Sequence, residues 1–130
     1  HGINPRTLTE FGLAAALPEL AERSVVPVEV RTSIPQRPPE QIESVAYFAV
    51  SEALTNIAKH SGATRGVVTA TAAYGELVIE VYDDGRGGAN PTGGTGLAGL
   101  ADRVAAAGGR LLLSSPAGGP TRVRLELPCP

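Results

Sequence analysis

Hydrophobic positions recur with two different periods along this chain, and the two periods alternate. Leu13, Leu17 and Leu20 recur at helical spacing and predict a helix over residues 7–23, which Pro18 is expected to interrupt. Alternating apolar residues in VPVEVRT predict a half-buried strand over residues 26–32. By the same criteria, the rest of the chain contains helices over 40–60 and 97–107 and strands over 65–73, 76–83, 111–115 and 121–128. The pattern predicts an α/β fold.

Glycine and proline mark the turns between these elements. Tyr74-Gly75 predicts a hairpin turn between two strands, and Gly108-Gly109 predicts the end of a helix. The stretch AGGP, residues 117–120, predicts the turn before the last strand. The last two strands are therefore expected to be antiparallel neighbours.

Composition and charge fit one compact domain. The chain has 130 residues, of which 42% are hydrophobic and 18% charged, and its net charge is -2. The basic residues are scattered and indicate no nucleic-acid partner, and the single cysteine, Cys129, excludes disulfides and cysteine metal sites, as expected in a cytoplasmic protein. No apolar run reaches the roughly 18 residues of a membrane-spanning helix, so no direct membrane contact is expected. A chain without methionine that begins at His1 is expected to be part of a longer protein.

The helix predicted over residues 40–60 has two distinct faces. At about 100° per residue, the face expected to pack on the sheet consists of Ala46, Val50, Ala53, Leu54 and Ile57. A second face consists of Val45, Ala49, Glu52, Asn56, Lys59 and His60. Carboxylate and amide oxygens suit Mg²⁺, and a lysine suits a phosphate. A solvated helix face without a ligand remains an alternative at this point.

A glycine-rich stretch, YDDGRGGANPTGGTGL, occupies residues 82–97. Asp83 ends a predicted strand, where its carboxylate can accept a hydrogen bond from an exocyclic amine, and Gly85 and Gly87 leave room for a flat ring. Gly94 and Gly96 precede a helix, whose free N-terminal amides favour an anion. Residues 88–93 would form a short lid between the two ends. A flexible linker is the alternative, whereas a dinucleotide fingerprint lacks its βαβ unit and a Walker loop is absent.

Three motifs in this order resemble those of histidine-kinase ATP-binding domains. EALTNIAKHS resembles the N box, DDGRG the G1 box and GTGLAGLADRV the G2 box. The opening HGINPRTLTEFGLAAAL and the final SSPAGGPTRVRLELP are similar to segments of the subgroup related to nitrate and nitrite sensors. The resemblance covers nearly the whole chain and implies the Bergerat fold, a two-layer α/β sandwich whose mixed sheet is covered on one face by helices.

The resemblance also implies roles for particular residues. Asn56 would bind Mg²⁺, with Glu52 beside it in the metal or water shell, and Lys59 and His60 would approach the phosphates of ATP. Asp83 would bind the adenine amino group, with Gly85 and Gly87 along the base. The phosphate end would be shaped by Gly94, Thr95, Gly96 and Leu97. Thr121 would join the water network near adenine, although GGPT stands here where the family has GGT.

The implied function is transfer of the ATP γ-phosphate to a histidine on a dimerisation domain, and from there to a response regulator. Residues 1–24 would be the end of the linker from the dimerisation helices and the first helix of the domain, and residues 25–130 the ATP-binding catalytic domain. His1 would not be the phosphoacceptor, so the isolated chain is expected to be unable to phosphorylate itself. It is also expected to be monomeric. An anti-sigma-factor-type protein-serine kinase and a nucleotide-binding module without catalysis remain alternatives.

Overall fold

A five-stranded mixed sheet forms the centre of the computed structural model, which describes residues 5–87 and 97–130, without the side chains of His60, Ser61 and Leu97. The strands are β1 (Val28–Ser33), β2 (Gly66–Ala73), β3 (Glu76–Asp83), β4 (Arg110–Ser114) and β5 (Thr121–Pro128), in the sheet order β1-β2-β3-β5-β4. Only β1 and β2 run parallel, and the other described pairs are antiparallel. The predicted mixed sheet is confirmed.

Helices cover one face of this sheet. They are α1 (Arg6–Phe11), α2 (Leu13–Glu22), α3 (Glu40–Asn56) and α4 (Leu97–Ala106). Alternate residues of β3 and β5, such as Ile79 and Leu125, are buried and meet the apolar sides of α3 and α4. The core face predicted for the helix over residues 40–60 is confirmed, because all five residues assigned to it are buried. The two layers, sheet and helices, form the expected open α/β sandwich.

On the other sheet face, the described residues form ion pairs and contribute no helix. Glu80 accepts from Arg122 at 3.3 Å and from Arg124 at 3.0 Å, and Glu126 pairs with Arg124 at 2.9 Å and with Arg110 at 2.5 Å. Such an exposed antiparallel face is expected to be polar. Among the described residues, no helix is long and apolar enough to cross a membrane.

The first helical segment differs from the prediction. The interruption lies at Gly12, which separates α1 from α2 with φ +89°, while Pro18 lies inside α2. The missing N–H of Pro18 leaves the carbonyl of exposed Ala14 to water. Buried Leu17 and Ala21 hold the helix on the core across this position. The expected break at Pro18 was therefore wrong, and glycine makes the corner.

Helix α3 also ends differently from the prediction. The α-helix stops at Asn56 and continues as one π turn, Ile57–Ser61, before Gly62 closes it with φ +66°. In this wider turn Ile57 stays buried and lies 3.5 Å from the position a Cβ on Gly66 would take. Single π turns inside helices occur often at functional sites. The predicted helix is thus confirmed in extent, and its last turn is π rather than α.

The predicted turns are present. Tyr74 and Gly75 both have positive φ, 54° and 76°, as a type I′ hairpin turn requires. At the end of α4, Gly108 has φ +84° and the amide of Gly109 donates to the carbonyl of Val104 at 2.9 Å. The Gly119–Pro120 peptide before β5 is cis.

A buried acid attaches the first two helices to α3. Glu43 is only 2% exposed and lies on the same side of α3 as the apolar core residues, so its carboxylate needs partners. Its Oε1 accepts from Arg37 at 2.7 Å and its Oε2 accepts from the amide of Leu13 at 3.1 Å. The same guanidinium donates to the carbonyl of Leu8, in the middle of α1, at 3.2 Å. A Cβ on Gly12 would lie 2.8 Å from Arg37 Nε, so this corner also needs glycine.

Candidate functional site

Asp83 is the buried carboxylate at the end of β3. It is 3% exposed, and its Oδ1 accepts the amide of Gly85 at 2.8 Å, the only hydrogen bond to this side chain among the described residues. Burial raises the pKa of the Asp83 carboxyl, an effect that the Gly85 hydrogen bond partly offsets. A buried carboxylate with an oxygen still available can accept a hydrogen bond from a ligand donor.

The neighbouring carboxylate, Asp84, is exposed but has more partners. It accepts from the amide of Thr64 at 2.8 Å, from the hydroxyl of Thr64 at 2.5 Å and from the amide of Arg65 at 3.1 Å. The Thr64 hydroxyl hydrogen bond is the main cause that lowers the pKa of the Asp84 carboxyl. The two adjacent aspartates therefore differ in their free acceptors. Asp83 has one carboxylate oxygen without a donor among the described residues, whereas both oxygens of Asp84 accept hydrogen bonds from Thr64 or Arg65.

Glycine in the G1 segment lets two loops touch. The amide of Gly118 donates to the carbonyl of Arg86 at 2.7 Å, which fixes the β4–β5 turn on residues 85–87. A Cβ on Gly87, whose φ is +70°, would lie 1.9 Å from the carbonyl oxygen of Pro116. A Cβ on Gly119 would lie 1.8 Å from the carbonyl oxygen of Gly85. Gly87 is therefore required by the neighbouring turn, and the room that Gly85 and Gly87 would leave for a flat ring stays a prediction.

Thr121 lies directly opposite Asp83. The two residues are paired between β3 and β5, and both lie on the face covered by helices. The hydroxyl of Thr121 is 2.6 Å from that of Ser115, so one of the two donates to the other. Despite the GGPT sequence, the structure brings Thr121 next to Asp83. Its role towards a ligand remains a prediction.

The polar side of α3 leads into the π turn, where Ile57 lies close to Gly66, the β2 residue paired with Asp83. Glu52 and Asn56 are four residues apart, on one side of the helix, and both are half-buried, while Lys59 in the π turn is exposed. Ala49, which we grouped with this face, is completely buried and belongs to the core. The side chain of His60 lies outside the described residues, so the structure leaves its predicted role open.

The residues present fit a magnesium site in which the nucleotide phosphates would supply some of the ligands. Among the described residues, no three His, Cys, Asp or Glu side chains cluster as a metal site would require. Mg²⁺ commonly takes one or two protein oxygens together with phosphates and water. The half-buried Asn56 amide and Glu52 carboxylate supply oxygens of that kind.

The predicted phosphate end lies mostly outside the described residues. Gly94, Thr95 and Gly96 and the predicted lid over 88–93 are not described. Leu97 is the first described residue after this gap, and it already belongs to α4, consistent with the predicted helix. Helix α4 contacts α3, and Arg103 lies 4.2 Å from the centre of the Phe48 ring.

Sequence reasoning missed two groups of residues. Glu43 could have been found, because a carboxylate in line with Ala46 and Val50 lies on the core side of a helix. The hydrogen bonds between Asp84 and Thr64 join residues 20 apart in the chain, and no local pattern indicates them.

Known proteins similar to this chain show which family it belongs to. The model of the histidine kinase-, DNA gyrase B-, and HSP90-like ATPases matches residues 41–130, more than half of the chain. The chain belongs to this ATPase family. Within the family it is 35% identical over 138 residues to the sensor histidine kinase NarS of Mycobacterium tuberculosis, covering 97% of this chain and 32% of NarS. It is 31% identical over 119 residues to the sensor histidine kinase YxjM of Bacillus subtilis, covering 89% of this chain and 29% of YxjM.

Solved structures of this ATPase family agree. The blue-light activated histidine kinase of Erythrobacter litoralis EL346 superposes with a TM-score of 0.73 at 27% identity, covering 90% of this chain and 42% of that one. The ATP binding domain of PrrB from Mycobacterium tuberculosis has a TM-score of 0.62 at 26% identity, covering 88% of this chain and 94% of that one. The chain therefore corresponds in extent to an ATP-binding domain, and spans about a third of the curated relatives it matches.

Proposed function

We propose that this chain is the ATP-binding catalytic domain of a sensor histidine kinase. The observation that carries the proposal is Asp83, a buried carboxylate with one oxygen available at the end of β3. It fits an acceptor for the adenine amino group, and Thr121 opposite it fits a partner for water beside the base. The names of the matched relatives, all sensor or light-activated histidine kinases, support this function over an anti-sigma-factor-type protein-serine kinase, which would share the fold.

The phosphates would extend from Asp83 towards α3 and the start of α4. Asn56, with Glu52 beside it, would hold the Mg²⁺ that neutralises phosphate charge in such reactions. Exposed Lys59, together with His60, would approach the phosphates, and the backbone of Gly94, Thr95, Gly96 and Leu97 would complete the anion site. Phosphoryl transfer needs mainly positioning and charge neutralisation, which these groups would supply.

The acceptor belongs to another part of the parent protein in this proposal. A histidine nitrogen on a dimerisation domain would form the new bond to the γ-phosphorus as the bond to the β-phosphate oxygen breaks, leaving ADP. The phosphoryl group would then pass to an aspartate of a response regulator. Residues 1–24 would connect to the dimerisation helices, the domain alone would be monomeric, and its location would be the cytoplasm, where ATP is available.

The chain and a separately produced dimerisation domain of the parent protein test this proposal. With labelled ATP and Mg²⁺, the chain alone should bind nucleotide and carry no phosphohistidine. Adding the dimerisation domain should label that domain slowly, because the reaction becomes bimolecular. The chain carrying Asp83→Asn serves as the control and should transfer little label. Label on the chain itself, or on a serine of an added anti-sigma antagonist, would contradict the assignment, and nucleotide binding without transfer to any acceptor would favour a binding module.

A further inference from the structure

Asp84 connects two parts of the site that are distant in the chain. Its Oδ1 accepts the amides of Thr64 and Arg65, and its Oδ2 accepts the Thr64 hydroxyl. Its own amide donates back to the carbonyl of Arg65 at 3.4 Å. An exposed side chain would ordinarily be mobile, and here both carboxylate oxygens are held by one short segment.

That segment joins the helix end to the strand beside Asp83. Residues 62–65 are the whole connection between the π turn and β2. On one side, Gly62 closes the turn that follows Asn56, and on the other, Gly66 pairs directly with Asp83. The Arg86 side chain also lies over Gly62, with Nε 3.8 Å from the position of a Cβ there. The position of the C-terminal end of α3 relative to Asp83, at the end of β3, therefore depends on the conformation of residues 62–65.

We propose that Asp84 is a positioning residue that sets the helix end carrying Asn56 and Lys59 at the correct distance from Asp83. It contacts neither base nor metal and acts through Thr64 and Arg65. This inference rests on the proposed function, because it assumes that the adenine and the magnesium–phosphate groups bind at the two ends that Asp84 joins. A carboxylate suits the task, since it accepts three hydrogen bonds at once and offers no competing donor.

The test compares how Mg²⁺ affects binding of a non-hydrolysable ATP analogue. Affinity is measured by calorimetry with Mg²⁺ and again with a chelator, on the chain and its variants. Asp84→Ala should keep the affinity in chelator within about twofold and should lose about tenfold in the presence of Mg²⁺, since a small displacement of positioned groups is costly. A purely structural role would weaken both measurements equally or neither, and either result would overturn the proposal.

Two further variants guard against a misfolded Asp84→Ala. Thr64→Val removes only the hydroxyl partner and should show a smaller loss confined to Mg²⁺, while Thr64→Ser should restore the original behaviour. In the double variant, the losses should be less than additive, because the two side chains act through one hydrogen bond. Additive losses, or no rescue by serine, would count against the pairing.

The design separates this inference from the proposed function. Glu76→Ala, at the exposed opposite end of β3, is the matched control and should change neither affinity. If the unmodified chain bound no analogue, or Mg²⁺ gave it no added affinity, the proposed function itself would fail. If the unmodified chain behaved as expected and Asp84→Ala retained its full magnesium effect, only the positioning role would fail.

Discussion

Replacing Asp83 by asparagine tests the adenine end with almost no change of shape. In the folded chain, one carboxylate oxygen accepts the Gly85 amide at 2.8 Å, and the other would accept the adenine amino group. Asparagine has one oxygen for these two donors, so whichever donor the oxygen accepts, the other faces an NH₂ group. A hydrogen bond to a charged group contributes about 1.5–3 kcal/mol, which predicts a roughly 10- to 150-fold weaker affinity for an ATP analogue.

The same Asp83→Asn substitution that weakens nucleotide affinity should not lower the free energy of unfolding. Burial raises the pKa of Asp83, so its ionised form is disfavoured in the folded state. The contribution of this carboxyl to stability is fully present below the unfolded pKa and is lost as pH rises through the folded pKa. Asp83→Asn should therefore be at least as stable as the original chain at pH 7, with an advantage that shrinks towards acid.

The assay is calorimetric titration with the analogue, together with denaturant unfolding at several pH values. Glu76→Gln removes one charge at the exposed far end of β3 and should leave affinity unchanged. Binding by the original chain should weaken as pH falls towards the raised pKa of Asp83, because protonation replaces an acceptor with a donor. A folded Asp83→Asn that kept its full affinity would refute the placement of adenine at this strand end.

Two other substitutions test the two ends of α3. Asn56→Ala should leave analogue affinity in chelator nearly unchanged and remove the gain given by Mg²⁺, measured by the same titration; retention of the gain would mean that this helix side is a solvated surface. Glu43→Ala should destabilise the chain by about 3 kcal/mol, because Arg37 and the Leu13 amide lose a buried acceptor. Thermal unfolding should show this as a Tm lower by about 10 °C. The exposed neighbour Gln41→Ala is its control, and an equal change in both variants would argue against the buried pair.

The sequence predicted those features that depend on neighbours within the chain. The core side of α3 and the Tyr74-Gly75 hairpin follow from local periodicity and turn chemistry, and the structure confirms both. The corner at Gly12 was missed, because proline is the stronger local signal and only packing of α2 on the core decides between them.

The residues of the candidate site also fall into those that the sequence predicts and those that only folding brings together. Asp83 and Asn56 belong to motifs that can be read along the chain, whereas the partners of Asp84 come from residues 64 and 65, just before the neighbouring strand β2. The reason for glycine at Gly87 is a carbonyl of Pro116, 29 positions further along the chain by number, and no local pattern could indicate it. The π turn after Asn56 likewise depends on how Ile57 packs in the folded core.

The Glu43 pair attaches α3 firmly near one of its two ends. Near its start, Glu43 is bound to the beginning of α2 and, through Arg37, to the middle of α1. Asn56 lies about 20 Å further along the axis, at about 1.5 Å per residue. A force on α1 and α2 must therefore either separate the buried Glu43 carboxylate from its partners or tilt α3 as a whole. The first outcome leaves a buried charge unpaired. A small force on the first two helices would therefore tilt α3 and move Asn56, and would leave the junction at Gly12 unchanged.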